Sequence, residues 1–247
     1  IAAMGAKPSW LSLAITLPEV NEAWIKNFCE GVFELCDFYN VELIGGDTTQ
    51  GPLSITITAQ GITPQDSYLQ RSGAKAGDWL YVTGELGDAA LALQHITGKV
   101  DIEAQAFNVI RTKLDYPKPR VLAGQMLREY ASSAIDLSDG LVADLGHICQ
   151  ASNVGANLVL DALPLSTIMR DSLLQDDAIK LALSGGDDYE LLFTVSEDNK
   201  VGMETAMSHA GTPVSCIGQL NASHTITTTL NNKAISINTE GFQHFAD

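Results

Sequence analysis

The 247-residue chain is short of positive charge: thirty acids stand against fourteen bases, a formal net charge of −16. So acidic a surface repels nucleic acid and anionic membranes, which excludes both as expected partners. A phosphate ligand would need cations from elsewhere, and divalent metal is the natural supply. Long apolar runs are also missing, and none reaches the ~18 residues of a membrane span. The opening IAAMGAKPSW lacks the basic start and apolar stretch of a signal peptide. It also lacks an initiator Met and begins in apolar register, as a chain cut from a longer protein would. Cys29, Cys36, Cys149 and Cys216 form no C-x-x-C pair. They are expected to be buried, reduced thiols in a cytoplasmic protein. There is no G-x-x-x-x-G-K-[ST], G-x-G-x-x-G, H-E-x-x-H or G-x-S-x-G motif, and the five histidines are isolated.

What is present is a chain 45% hydrophobic, enough for a substantial core in one large or two modest domains. LSLAITL (11–17) reads as a strand ended by Pro18. Residues 18–40 place Val20, Trp24, Phe28, Val32, Leu35 and Phe38 at a helical period. VELIGG is a strand ending in glycines, and 53–62 alternates as a half-buried strand. The polar, turn-rich stretch 63–78 is the best linker, and it divides the chain into domains at 1–66 and 67–247. The second part reads strand, Gly turn and helix from Asp78. Helices follow at 103–113 and 118–131, then the strand SSAID and a helix from Ser138. Further helices are expected at 171–182 and 197–210, with strands at 190–195, 213–219, 224–230 and 233–237. This alternation predicts a two-domain protein, α/β followed by α+β.

Three stretches share one grammar, in which acids and glycine follow an apolar strand: LIGGDTTQG (43–51), AIDLSDGL (134–141) and LSGGDDYELLF (183–193). In the first, Gly45 and Gly46 permit a tight turn or a close approach to a ligand before Asp47 and two threonines. A Gly-Asp turn between strands and a metal-bound phosphate site are both open readings. In the second, Asp136 ends a strand, where α/β proteins place ligands. Ser138 or Asp139 is placed to cap the following helix. Its buried face, Leu141, Val142, Leu145, Ile148 and Cys149, leaves Asp144 as a surface acid near His147. In the third, Asp187 and Asp188 repel each other unless they point apart or share a cation. Arg71 lies in the linker; in so acidic a chain it is a plausible phosphate partner.

Taken together, AAMGAKPSWLSLAITLP, LIGGDTTQGPLSITITAQG, RSGAKAGDWLYVTG, SAIDLSDGLVADLGHI, ALSGGDDYELLFTV and the closing EGFQHFA resemble the thiamine-monophosphate kinase family nearly end to end. That family lies in the ATP-binding superfamily typified by aminoimidazole ribonucleotide synthetase. The resemblance implies an N-terminal α/β domain whose sheet pairs across a homodimer, and a C-terminal mixed-sheet domain flanked by helices. It implies Mg²⁺-dependent transfer of a phosphoryl group from ATP to thiamine monophosphate. By the same resemblance Gly46, Asp47, Arg71 and Ser138 contact ATP. Asp47, Asp136 and Asp139 bind several Mg²⁺ ions, and Asp187 and Phe242 meet the thiamine moiety. Many members have Glu where Asp187 stands. The family also begins with about 70 further residues, carrying G-D-D and S-T-D, that this sequence does not include. Residues 1–247 alone are therefore expected to show no kinase turnover. Two other readings are an aminoimidazole ribonucleotide or selenophosphate type synthetase, and a non-catalytic nucleotide-binding dimer.

Overall fold

The computed structural model describes residues 1–236. Phe242 lies outside them. The chain forms two units: Ala6–Tyr68 with Ile1, and Leu69 onward with Ala2–Gly5. Among the described residues, no helix is long and apolar enough to cross a membrane.

The first unit is a three-stranded sheet ordered β2-β1-β3. Strand β1 is Lys7–Leu17, helix α1 Glu22–Tyr39, β2 Glu42–Gln50 and β3 Ser54–Ile62. β1 runs parallel to β2 and antiparallel to β3. Asn21 caps α1, its side chain accepting from the Trp24 amide, and Asn40 ends the helix in the left-handed conformation. The covered stripe of α1 runs through Trp24, Ile25, Phe28, Val32, Cys36 and Tyr39. Leu35 and Phe38, expected on that stripe, are 60% and 78% exposed. The 3.6-residue period from Trp24 and Phe28 arrives at Cys36 and Tyr39 instead.

A second expectation also fails in this unit. The strand does not end at the glycines, and GGD is no turn. β2 continues through Gly45, Gly46 and Asp47 to Gln50, and the reversal comes at Gly51–Pro52. The β1–β2 register slips at Leu11/Ser12, so Ile44 is the extra residue of a bulge. Gly46 follows it with φ +151°, and a Cβ there would lie 1.8 Å from the Leu13 carbonyl oxygen. Close approach of two backbones, not a reversal, is what requires glycine at this position.

The second unit is a seven-stranded sheet ordered β10-β9-β6-β8-β4-β7-β5. Its elements are β4 Trp79–Thr83, α2 Asp88–Ile96, α3 Ala104–Asp115, α4 Val121–Leu127, β5 Ala131–Asp136, α5 Leu141–Ser152, β6 Gly155–Val159, α6 Thr167–Ser172, α7 Gln175–Ser184, β7 Leu191–Val195, α8 Lys200–His209, β8 Val214–Asn221, β9 Ile226–Leu230 and β10 Lys233–Ile235. Both faces of its centre are covered. Leu80, Val82, Ile135 and Leu192 pack with Leu141, Leu145 and Ile148 of α5. The alternate positions Tyr81, Ala134, Leu191 and Phe193 pack with Leu127 of α4 and with Met203 and Met207 of α8. Each Leu, Ile, Val, Phe or Met side chain among them contributes about 1.5–3 kcal/mol by leaving water, and burial on both faces is why β7 reads as an unbroken apolar run. The helix expected at 171–182 is two helices, because Ser166 caps α6 and the chain turns extended at Leu173–Leu174. All four cysteines are free thiols; Cys36 and Cys149 are buried, and Cys29 and Cys216 are partly exposed.

Candidate active site

β5 and β7 pair antiparallel up to Asp136 opposite Leu191. Their pairing does not stop there. The Leu137 amide donates to the Glu190 carbonyl at 2.9 Å, and the Tyr189 amide to the Leu137 carbonyl at 2.8 Å. The Asp187 amide then donates to the Ser138 carbonyl at 3.0 Å. Two of the three acidic stretches are thus zipped together at one end of the sheet. Gly186 allows the approach, since a Cβ there would lie 2.5 Å from the Ser138 carbonyl oxygen. Asp136, Ser138, Asp139 and Asp187 come together by this route.

The neighbouring acids of GGDDY face different partners. Asp188 accepts the Gly87 amide at 2.8 and 3.1 Å, on the turn that opens α2. Burial pushes its carboxyl well above the usual range, against the pull of that amide, and the charges of Asp88, Glu190 and Asp187 add to the rise. Asp187 instead accepts the Tyr189 hydroxyl at 3.1 Å. Asp187 and Tyr189 carry φ of +68° and +49°. Each side chain in that left-handed region costs about 1–2 kcal/mol, and such strain clusters where geometry is functional. Partial burial raises the Tyr189 phenol, followed by the charge of Asp187.

Glu190 anchors the back of the same loop. It is 6% exposed. Its carboxylate takes two guanidinium bonds from Arg120, at 2.7 and 2.6 Å, and the Thr83 hydroxyl at 2.6 Å. This is the bidentate geometry in which a buried pair holds best. Glu190 lies within the stretch LSGGDDYELLF, but no sequence pattern joins Arg120 to it.

Asp144 overturns its expected place. It is 2% exposed, not a surface acid near His147. Neither Ser138 nor Asp139 caps α5; Gly140 stands at that position and gives no side-chain bond. Asp144 Oδ2 reaches back instead, accepting the Ser138 amide at 3.0 Å and the Asp139 amide at 3.1 Å. Burial raises its carboxyl, and the two amides oppose that rise. The helical period held the signal, since residue 144 lies with Leu141, Leu145 and Ile148 on the inner face.

The remaining expected residues make other hydrogen bonds. Asp47, exposed on β2, accepts its neighbour Thr48's amide at 2.9 Å. Arg71 is exposed, and its backbone carbonyl accepts the Ser152 hydroxyl at 3.1 Å. The presumed linker is thus partly bound: the Gln70 carbonyl accepts the Ala134 amide at 2.8 Å, covering the edge of β5.

Among the described residues, no three His, Cys, Asp or Glu side chains gather to hold a metal ion. The donors nearest one another on the zipped loops, those of Asp136, Asp139 and Asp187 around Tyr189, are carboxylate oxygens. These suit a hard ion such as Mg²⁺, which is commonly held by one or two carboxylates, with water and phosphate oxygens completing its shell.

Comparison with known proteins fits this arrangement. Residues 1–63 match the family AIR synthase related protein, N-terminal domain, and residues 75–231 its C-terminal domain. The thiamine-monophosphate kinase of Salmonella typhimurium is 47% identical over all of this chain and 76% of its own length. The chain belongs to the thiamine-monophosphate kinase family. The crystal structure of the thiamine-monophosphate kinase from Stenotrophomonas maltophilia is 42% identical, with a TM-score of 0.87 over 95% of this chain and 75% of that one. A more distant relative, AaThiL complexed with AMPPCP and TMP, is 26% identical with a TM-score of 0.84, over 99% of this chain and 76% of its own. In this thiamine-monophosphate kinase family member, the loops 137–139 and 186–190 bring two of the acidic stretches together at one end of the second sheet.

Proposed function

We propose that the protein transfers the terminal phosphoryl group of ATP directly to thiamine monophosphate, giving thiamine diphosphate and ADP. The observation that carries this reading is the zipped pair of acidic loops in a chain that aligns over 99% of its length with a ThiL bound to AMPPCP and TMP. The acceptor is a phosphate oxygen, already ionised at neutral pH, so no strong general base is needed. What the reaction demands is that two polyanions be brought in line. Bound Mg²⁺ would neutralise phosphate charge and stabilise the transfer.

The residues divide the remaining work. Asp47, Asp136 and Asp139 are the proposed metal-holding carboxylates, and Gly46, Arg71 and Ser138 the nucleotide contacts. Asp187 and Phe242 take the thiamine moiety. A homodimer in the cytoplasm, joined through the sheet of the first unit, completes the reading.

The test is a substrate panel on the full-length protein with Mg²⁺ and ATP. Thiamine diphosphate should form only with thiamine monophosphate. Turnover with an aminoimidazole ribonucleotide precursor or selenide, and none with thiamine monophosphate, overturns the reading. Direct transfer also forbids ATP/ADP exchange when the acceptor is left out.

A further inference from the structure

The loop 137–139 lies just ahead of helix α5, with Gly140 at the N-cap. In many phosphate-binding proteins a Gly-containing loop in that position grips the anion with its own amides. Here two of those amides are already engaged. Asp144 Oδ2 accepts from Ser138 and Asp139 together, and the Asp144 side chain is enclosed. The neighbouring Leu137 amide is also engaged, with the Glu190 carbonyl.

Resting on the proposed function, we infer that Asp144 is a positioning residue which makes this loop bind phosphate through cations and not through its amides. By holding both donors it removes the loop's direct attraction for an anion. It also fixes the backbone from which Asp136 and Asp139 project. What the loop then offers outward is carboxylate and the Ser138 hydroxyl, which suit Mg²⁺ and its bound phosphate. Two features of the chain favour this arrangement. The net charge of −16 makes a direct phosphate grip unfavourable without cations. The zipped contact with 186–190 leaves the loop no freedom to turn its amides elsewhere, since its carbonyls at Leu137 and Ser138 are held as well.

The role requires an acceptor oxygen at one place and does not require a charge there. Three variants separate these in the full-length protein. Asp144→Asn keeps the acceptor and loses the charge, Asp144→Glu keeps the charge and moves the oxygen, and Asp144→Ala removes both. Each is assayed for the Mg²⁺ concentration giving half-maximal thiamine diphosphate formation. Each is also titrated calorimetrically with Mg²⁺ in the presence of AMPPCP, which needs no turnover.

Asp144→Asn should stay within about threefold of wild type on both measures. Asp144→Glu and Asp144→Ala should need about tenfold more Mg²⁺, the loss of a well-placed hydrogen-bond acceptor being worth roughly that factor. The KM for thiamine monophosphate should not move. If Asp144→Ala does not fold, Asp144→Glu carries the same expectation. A loss in Asp144→Asn as large as that in Asp144→Glu would show that an acceptor oxygen at that place does not suffice, and would overturn the inference. So would unchanged Mg²⁺ dependence in Asp144→Glu. If wild type forms no thiamine diphosphate, the proposed function fails; the calorimetric comparison still decides the role of Asp144.

Discussion

In the second unit Leu80, Val82, Phe193 and Val195 are wholly enclosed, and helices cover both faces of the central strands. In the first, Ile55, Ile57 and Ile62 on β3 remain 40%, 47% and 51% exposed, and every residue of β2 and β3 is open to solvent. Both sets of strands are rich in β-branched and apolar residues. Composition alone therefore does not decide burial; the partner elements do. Exposed apolar surface gathered on one sheet marks a face made for covering. Under the proposed function that cover is a second copy of the chain. The zipped loops 137–139 and 186–190, by contrast, are held within one unit.

The largest expected effect tests the strand end that leads into them. Asp136→Asn should lower Mg²⁺-ATP turnover of the full-length protein at least about 100-fold while leaving its thermal unfolding unchanged. Near-normal activity would return Asp136 to a purely structural role.

Next come the two cores. Phe193→Ala should cost about 3–5 kcal/mol in urea unfolding. Ile57→Ala should cost below ~1 kcal/mol if its strand stays open to solvent. A loss at Ile57 comparable with that at Phe193, and dependent on protein concentration, would show the strand covered by another chain. Sedimentation of Ile57→Asp at half the wild-type mass would say the same.

Arg120→Ala removes the guanidinium from the buried Glu190 carboxylate. Breaking such a pair costs about 3 kcal/mol or more, which urea unfolding can measure. A negligible change would mean that Thr83 alone satisfies Glu190.

The smallest effect concerns Asp188. Its carboxyl titrates higher in the folded protein than in the unfolded chain. The folded state therefore holds that proton more tightly. The resulting stability is full in acid and is lost as pH rises through the folded value. Asp188→Asn has no such proton to lose. Wild type should weaken relative to the variant as pH rises from about 4, followed by urea unfolding at stepped pH. A constant difference across that range would contradict the burial argument.

Much of the frame was legible from local pattern. The apolar runs of β4, β5 and β7 announced strands, with acids after β5 and ahead of β7. What escaped depended on contacts far apart in sequence. GGDTTQ looked like a turn because paired glycines usually make one; only the approach of β1 to Gly46 shows otherwise. Asp144 was placed at the surface because an acid on a helix is normally solvated, although its own period pointed inward. Arg120 and Glu190 lie seventy residues apart, and no local pattern joins them. Nor does any local pattern show that 137–139 and 186–190 form a single structure.

Asp187 and Asp188 carry a consequence for how this segment can vary. They are the same residue type in adjacent positions, yet one bonds outward to Tyr189 and the other inward to Gly87. Their difference is one of place in the count from Gly186 to Glu190. Exchanging either acid for a similar polar residue changes one contact. Removing or adding a single residue exchanges their duties, pulling the inward fastener out and driving the outward acid in. Length, more than composition, is what this stretch must preserve.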